Sequence, residues 1–148
     1  MEIEISVLGE PKPQPRHRHY KRGKFTGTYD PAKEGKETFL FLVLEHAPAK
    51  PLDEPLRVDI NFYFPRPKAH YGTGRNAGKL KPSAPARHIV KPDIDNLQKW
   101  VYDSMNKVFW RDDSIICECR VRKLYDDMPR TEIIISPLAW QLEPIGVN

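Results

Sequence analysis

The chain has 148 residues, 39% of them apolar and 30% charged, with 24 Lys and Arg against 20 Asp and Glu. That length allows one domain with a real core. The composition describes a soluble globular chain, with no apolar run near the ~20 residues of a membrane helix and no start resembling a secretory signal. The two cysteines, Cys117 and Cys119, are too close in sequence to close a useful loop. A disulfide scaffold and a four-ligand zinc site are therefore excluded, and a reducing cytoplasm is the expected location.

Residues 3–8 alternate apolar and polar with period two and predict a first strand. Residues 9–29 are rich in Pro, His and bases and read as a loop or ribbon. Asp30-Pro31 is a helix-start signal, and Phe39, Leu40, Val43, Leu44 and Ala47 give the stripe of a first helix that Pro48 and Pro51 stop. Gly35 weakens its first half.

Leu56, Val58, Ile60, Phe62 and Phe64 share one face of a second strand. Residues 65–92 show no convincing element, and a loop of that length in a compact domain suggests function or disorder. A second helix is expected over 96–107, with Leu97, Trp100, Val101, Ser104, Met105 and Val108 as its buried stripe. Ile115, Cys117, Cys119 and Val121 read as the inner face of a third strand, both cysteines being small core residues. Residues 131–136 make a fourth strand, with 126–129 joining the last two as a hairpin. The expected architecture is a single α+β domain over 1–148: a mixed four-stranded sheet with two helices, in the order β-α-β-loop-α-β-β.

The charge is unevenly placed. Windows 11–24 and 60–92 hold 13 of the 24 bases and no acid, while the rest carries 11 bases against 20 acids, a net −9. Basic segments on an acidic body suggest a polyanionic partner, although bases also solubilise Pro-rich loops.

The sharpest local signal is Lys91-Pro92-Asp93-Ile94-Asp95-Asn96-Leu97-Gln98-Lys99. If 93–95 is extended, both carboxylates point the same way, and Lys99 lies one helical turn beyond Asp95. Two carboxylates this close repel, and a divalent cation relieves them most fully. Oxygen donors without His or Cys favour Mg²⁺ or Mn²⁺ over Zn²⁺. A second acidic pair, Asp112-Asp113, precedes the third strand, whose entrance can bring one of them to the first pair. Acids at helix starts and in turns are also common solvated caps, and Asp103 is expected to pair with Lys99.

Segments 91–99 and 110–123 resemble the RusA-like family of Holliday junction resolvases, with its D-x-D-N-x-x-K and D-D-S patterns. Gly9-Glu10-Pro11 with Arg16 and Arg18, Tyr29-Asp30-Pro31 and Arg66-Pro67-Lys68 are similar to phage-type members, so the resemblance spans roughly residues 3–136. It implies a Mg²⁺-dependent homodimeric endonuclease, Mn²⁺ substituting, that resolves four-way DNA junctions in recombination and repair. It also implies Asp93, Asp95 and Asp113 as metal-binding catalytic carboxylates and Lys99 as a catalytic cation, with Asp112 as the alternative third acid. Arg16, Arg18, Lys21, Arg22, Arg66, Lys68 and Lys91 would then contact DNA phosphates. Two other readings compete: a non-catalytic nucleic-acid-binding module, and a nuclease acting on branched or flapped DNA more broadly.

Overall fold

The structure is a computed structural model that describes residues 1–15, 18–23, 25–29 and 31–144. Among these described residues six strands and two helices follow in order: β1 (Ile3–Leu8), β2 (Arg18–Arg22), β3 (Phe25–Tyr29), α1 (Lys33–Val43), β4 (Leu56–Phe64), α2 (Ile94–Met105), β5 (Ile116–Tyr125) and β6 (Arg130–Pro137). β2 and β3 form a separate antiparallel ribbon, as the Pro- and base-rich composition of that region allowed.

The main sheet has the order β1-β6-β4-β5. β6 runs antiparallel to both β1 and β4, while β5 runs parallel to β4, so the sheet is mixed. β4 alternates strictly, and Leu56, Val58, Ile60, Phe62 and Phe64 are all buried. Only a strand flanked on both edges and covered by helices has so dry a face.

This order corrects one expectation. β5 and β6 follow each other in sequence but are not neighbours, so 126–129 is no hairpin turn. The segment instead crosses the end of β4, where the Asp126 amide donates to the Phe64 carbonyl at 3.1 Å. Two strand spacings are about 10 Å, which four extended residues cover.

Both helices sit on one face of the sheet. Phe39 and Val43 from α1 and Leu97, Trp100, Val101 and Met105 from α2 join the β4 and β6 side chains in one core. Phe109 and Trp110 complete it, and Trp110 is fully buried. Backbone bonds between Leu52 and both Phe109 and Arg111 tie the approach to β4 to the α2–β5 connection. The opposite face is polar, with Arg57 on Asp59, Arg122 on Asn61 and Arg130 on Glu132.

The loop 65–92 is structured by its own contacts. Two short 3-10 turns and the bridges Tyr71–Leu80 and Gly72–Ala77 fold it upon itself. The Arg66 guanidinium donates to the Pro85 carbonyl at 2.7 Å, and the Tyr71 hydroxyl donates to Asp127 at 2.6 Å. Charged and polar links inside the loop, rather than an apolar stripe, hold it, which is why periodicity gave no element.

Gly35 faces Trp100 where α1 crosses α2; a Cβ there would lie 2.6 Å from the indole Cη2. Alanine normally stabilises a helix by about 1 kcal/mol over glycine. Here overpacking should outweigh that gain, and Gly35→Ala should lower stability by roughly 1–3 kcal/mol in urea denaturation. A stabilised variant would show that the two helices can separate freely.

Candidate active site

Asp93 is the N-cap residue of α2, with extended backbone, and Asp95 lies in the helix's first turn. The two are therefore not successive residues of an extended segment. The helix begins two residues earlier than the apolar stripe implied, because Asp93 serves as its N-cap. The Asp93 side chain makes no cap hydrogen bond, and Asp93, Asp95 and Lys99 are all exposed. Lys99 stands four residues beyond Asp95 on the same helix, one turn along. Among the described residues no hydrogen-bond or ion-pair partner is present for any of these three groups.

Asp93 forms the wall between two open clefts. One, of about 560 Å³, is lined by Arg87, His88, Asp93, Asp95, Arg122 and Lys123. The other, of about 610 Å³, is lined by Glu10, Gln14, Phe64, Lys91, Asp93 and Asn96. Arg87 of the long loop and Lys123 of β5 thus line the first cleft together with the two carboxylates. The Gln14 amide donates to the Asn96 carbonyl at 2.9 Å, which anchors the stem of the β2–β3 ribbon against the first turn of α2. Arg18, Lys21 and Arg22 fall on β2 of that ribbon, while Arg16 lies outside the described residues. Lys68 and Lys91 are exposed, whereas Arg66 is half-buried and engaged within the loop.

Asp112 and Asp113 lie elsewhere. The electrostatic neighbours of Asp113 are Asp103, Asp112 and Lys107, all at the C-terminal end of α2 or beyond it. Asp103 is eight residues after Asp95, or about 12 Å along a helix axis. The third carboxylate is therefore at the opposite end of α2 from the first two in the same chain. Among the described residues no group of three or more acidic, His or Cys side chains is gathered closely enough to hold a metal ion. The short connection from α2 to β5 does not bring the second acidic pair back to the first, because β5 begins beside the end of α2 and runs antiparallel to it. Gln98 accordingly meets Cys119 at 3.4 Å, and residues 121–123 reach the start of the helix.

The two acids of that pair differ. Asp112 is held well below the usual carboxylate range by the Lys107 ammonium at 2.8 Å and by the Ser114 amide that it caps. Asp113 accepts the Trp110 indole N–H at 2.7 Å, and burial pushes its carboxyl up. Asp112 is thus committed to the turn, whereas one Asp113 oxygen stays open among the described residues. Burial also raises the nearby Tyr102 hydroxyl to about 12. Asp103 pairs with Lys36 of α1 at 3.3 Å rather than with Lys99. Cys117 and Cys119 are exposed, because β5 is an edge strand that α2 does not cover.

His88 is a site neighbour that its sequence context, a basic loop, did not reveal. It is buried, stacks on Phe64 at 3.9 Å, and keeps an Nδ1 without a partner among the described residues. Burial, aided by Lys123, lowers its pKa. The unfolded chain takes up this proton near the ordinary histidine value, and the folded chain resists it. Stability is then complete above about pH 6.5 and is lost as the pH falls through that value. His88→Phe keeps the stack and should flatten this part of the stability–pH curve in denaturant titrations; an unchanged slope would contradict the burial argument.

A family model for RusA endodeoxyribonucleases matches residues 9–136. The chain belongs to the RusA family. It is also 32% identical over 139 residues to the uncharacterised protein YqaN of Bacillus subtilis (strain 168), covering 93% of this chain and 97% of that one. The RusA match takes in both acidic pairs, Lys99, the ribbon and the long basic loop. RusA endonucleases resolve Holliday junctions, which fits the separate basic segments flanking the start of α2. No helix among the described residues is long and apolar enough to cross a membrane.

Proposed function

We propose that this RusA-family chain cuts four-way DNA junctions by paired symmetric phosphodiester hydrolysis, as a homodimer that requires Mg²⁺ and acts in recombination and repair. The observation that carries this reading is the pair of carboxylates Asp93 and Asp95, without a partner among the described residues and exposed at the mouth of a cleft that Arg87 and Lys123 also line. Surface acids that make no ion pair add little to a fold, and in a phosphate-binding groove they repel the ligand. They make sense as oxygen donors to a divalent cation. Mg²⁺ is commonly held by one or two carboxylates together with waters and substrate phosphates, and this donor set fits it.

Asp93 and Asp95 would hold the ion; Asp113, at the opposite end of α2 in the same chain, could join them only across the two-fold axis of the homodimer. Bound there, Mg²⁺ supplies neutralisation of the phosphate charge and a more acidic water. Lys99, one turn along from Asp95, would contact the scissile phosphate and the charge that builds on it. The bases of the long loop and the ribbon position the backbone of the junction arms, so affinity should fall steeply with salt. Four-way geometry, rather than base edges, would give selectivity.

The test compares a mobile four-way junction, a flapped duplex and a linear duplex, each with Mg²⁺. Paired nicks confined to the junction are expected. Equal cutting of flaps would broaden the substrate class, and tight binding without any cutting would overturn the nuclease reading. Lys99→Ala should bind the junction yet lose turnover, lowering kcat far more than it raises KM.

A further inference from the structure

Asp93 separates two clefts, and the proposed chemistry uses only the one that it shares with Asp95. The other lies between the segment 10–14 and the start of α2. Its lining is of two kinds. Pro11, Pro13, Pro92 and Phe64 supply apolar surface, Pro11 and Phe64 being buried. Glu10, Lys91, Asp93 and Asn96 are exposed beside them and offer both acceptors and donors.

Gln14 completes the lining and differs from these groups. It is only 9% exposed, and its Oε1 is buried with no hydrogen-bond partner among the described residues. Its Nε2 donates to the neighbouring Pro15 carbonyl over a long 3.4 Å, so the whole amide is poorly satisfied. The backbone bond from Gln14 to Asn96 nevertheless pins the residue against the first turn of α2. A buried acceptor without a donor is costly, and beside an open cleft the missing donor is a ligand group.

The lining chooses among ligand classes. A bare phosphate is repelled by Glu10 and Asp93. A metal ion is repelled by Lys91 and gains nothing from three proline rings. A nucleobase is uncharged and planar, apolar on its faces and edged with donors and acceptors. That matches apolar walls carrying a few mixed polar groups. We propose that this cleft receives one nucleobase swung out of the DNA stack, with its edge bonded to the Gln14 amide. The source of the base rests on the junction-cutting reading; the occupancy of the cleft does not. Because Asp93 is common to both clefts, the base belongs to a nucleotide beside the phosphate that the other cleft holds. Swinging a base out of an unbroken duplex sacrifices pairing and stacking on both sides, and the loss is smaller where the stack is already interrupted. The cleft thereby favours branch points over plain duplex.

Two measurements on the full-length protein test this. The first titrates a single-stranded tetranucleotide into ¹⁵N-labelled protein and follows the side-chain amide signals of Gln14, identified by their loss in Gln14→Leu. They should shift and saturate at millimolar oligonucleotide; unmoved signals overturn the proposal whatever the protein cuts. The second places 2-aminopurine at each position flanking the crossover of a four-way junction held by Asp95→Asn protein. Stacking quenches this base, so its emission should rise several-fold at one position in each nicked strand. The rise should be lost when Gln14→Leu is added. Leucine suits a buried position, so Gln14→Leu should unfold in urea no earlier than its parent, which separates a lost base contact from a lost fold. A bound junction with no brightened position, or a rise that survives Gln14→Leu, overturns the cleft as the destination of the base. If the unsubstituted protein neither binds nor cuts the junction while the tetranucleotide still moves Gln14, the nuclease reading fails and the base site stands.

Discussion

Asp95→Asn should lower junction cutting by at least on the order of 10²–10³, the range seen when one preorganised electrostatic group is removed from an active site. Junction affinity should hold or improve. The substitution keeps the size and the helix position of the side chain and removes only a negative charge facing phosphate, worth about 1 kcal/mol at 4 Å in water. Asp93→Asn should behave alike, since that side chain does not cap the helix it begins. The contrast is Asp103→Asn on the same helix. Asp103 pairs with Lys36, so its loss should cost a little stability and leave cutting near its starting rate. Single-turnover cleavage beside a binding titration separates these cases. An Asp95→Asn protein that cuts normally would remove the start of α2 from the mechanism.

The second large effect is on the fold. Trp110→Ala should destabilise the chain by roughly 3–5 kcal/mol, the usual cost of emptying a buried aromatic site. For a chain of this size that is a fall in Tm of about 10 °C. Trp110 is fully buried, meets Tyr102 edge-on at 5.7 Å, and bridges to Leu52. Its indole N–H is also the bond that orients Asp113. Trp110→Phe therefore discriminates between packing and positioning. It should keep most of the stability, losing about 1 kcal/mol with the hydrogen bond, yet cut more slowly because Asp113 is no longer held. Calorimetry and cleavage rates on both variants check this, and a Phe variant with unchanged rate would show that Asp113 needs no such support.

The strands that alternate cleanly were legible from sequence. β1 and β4 begin and end where their apolar residues do, because one buried face forces the period. α2 was legible as an amphipathic stripe, but its first turn was not, since residues 94–96 are exposed and contribute nothing to the stripe. Neighbourhood in the sheet was hidden. Residues 126–129 look like a hairpin turn, and only the burial of both edges of β4 reveals that β6 passes to its far side. Cys117 and Cys119 read as core because strand periodicity tells which face a residue takes, not whether a helix covers that face. The candidate site followed the same rule. Asp93, Asp95 and Lys99 lie within six residues of one another, so their nearness along the start of α2 was legible without any tertiary contact. The position of Asp113 depends on how β5 packs along α2, which no local spacing encodes.

In the proposed mechanism Asp93 and Asp95 together hold a divalent cation. Mn²⁺ titrated into the DNA-free protein, with the free ion read by its electron paramagnetic resonance signal, tests it without reference to cutting. A bound fraction is expected at millimolar Mn²⁺ that disappears in the Asp93→Asn/Asp95→Asn double variant and persists in Asp103→Asn. Equal Mn²⁺ binding by the double variant and the unsubstituted protein would contradict it.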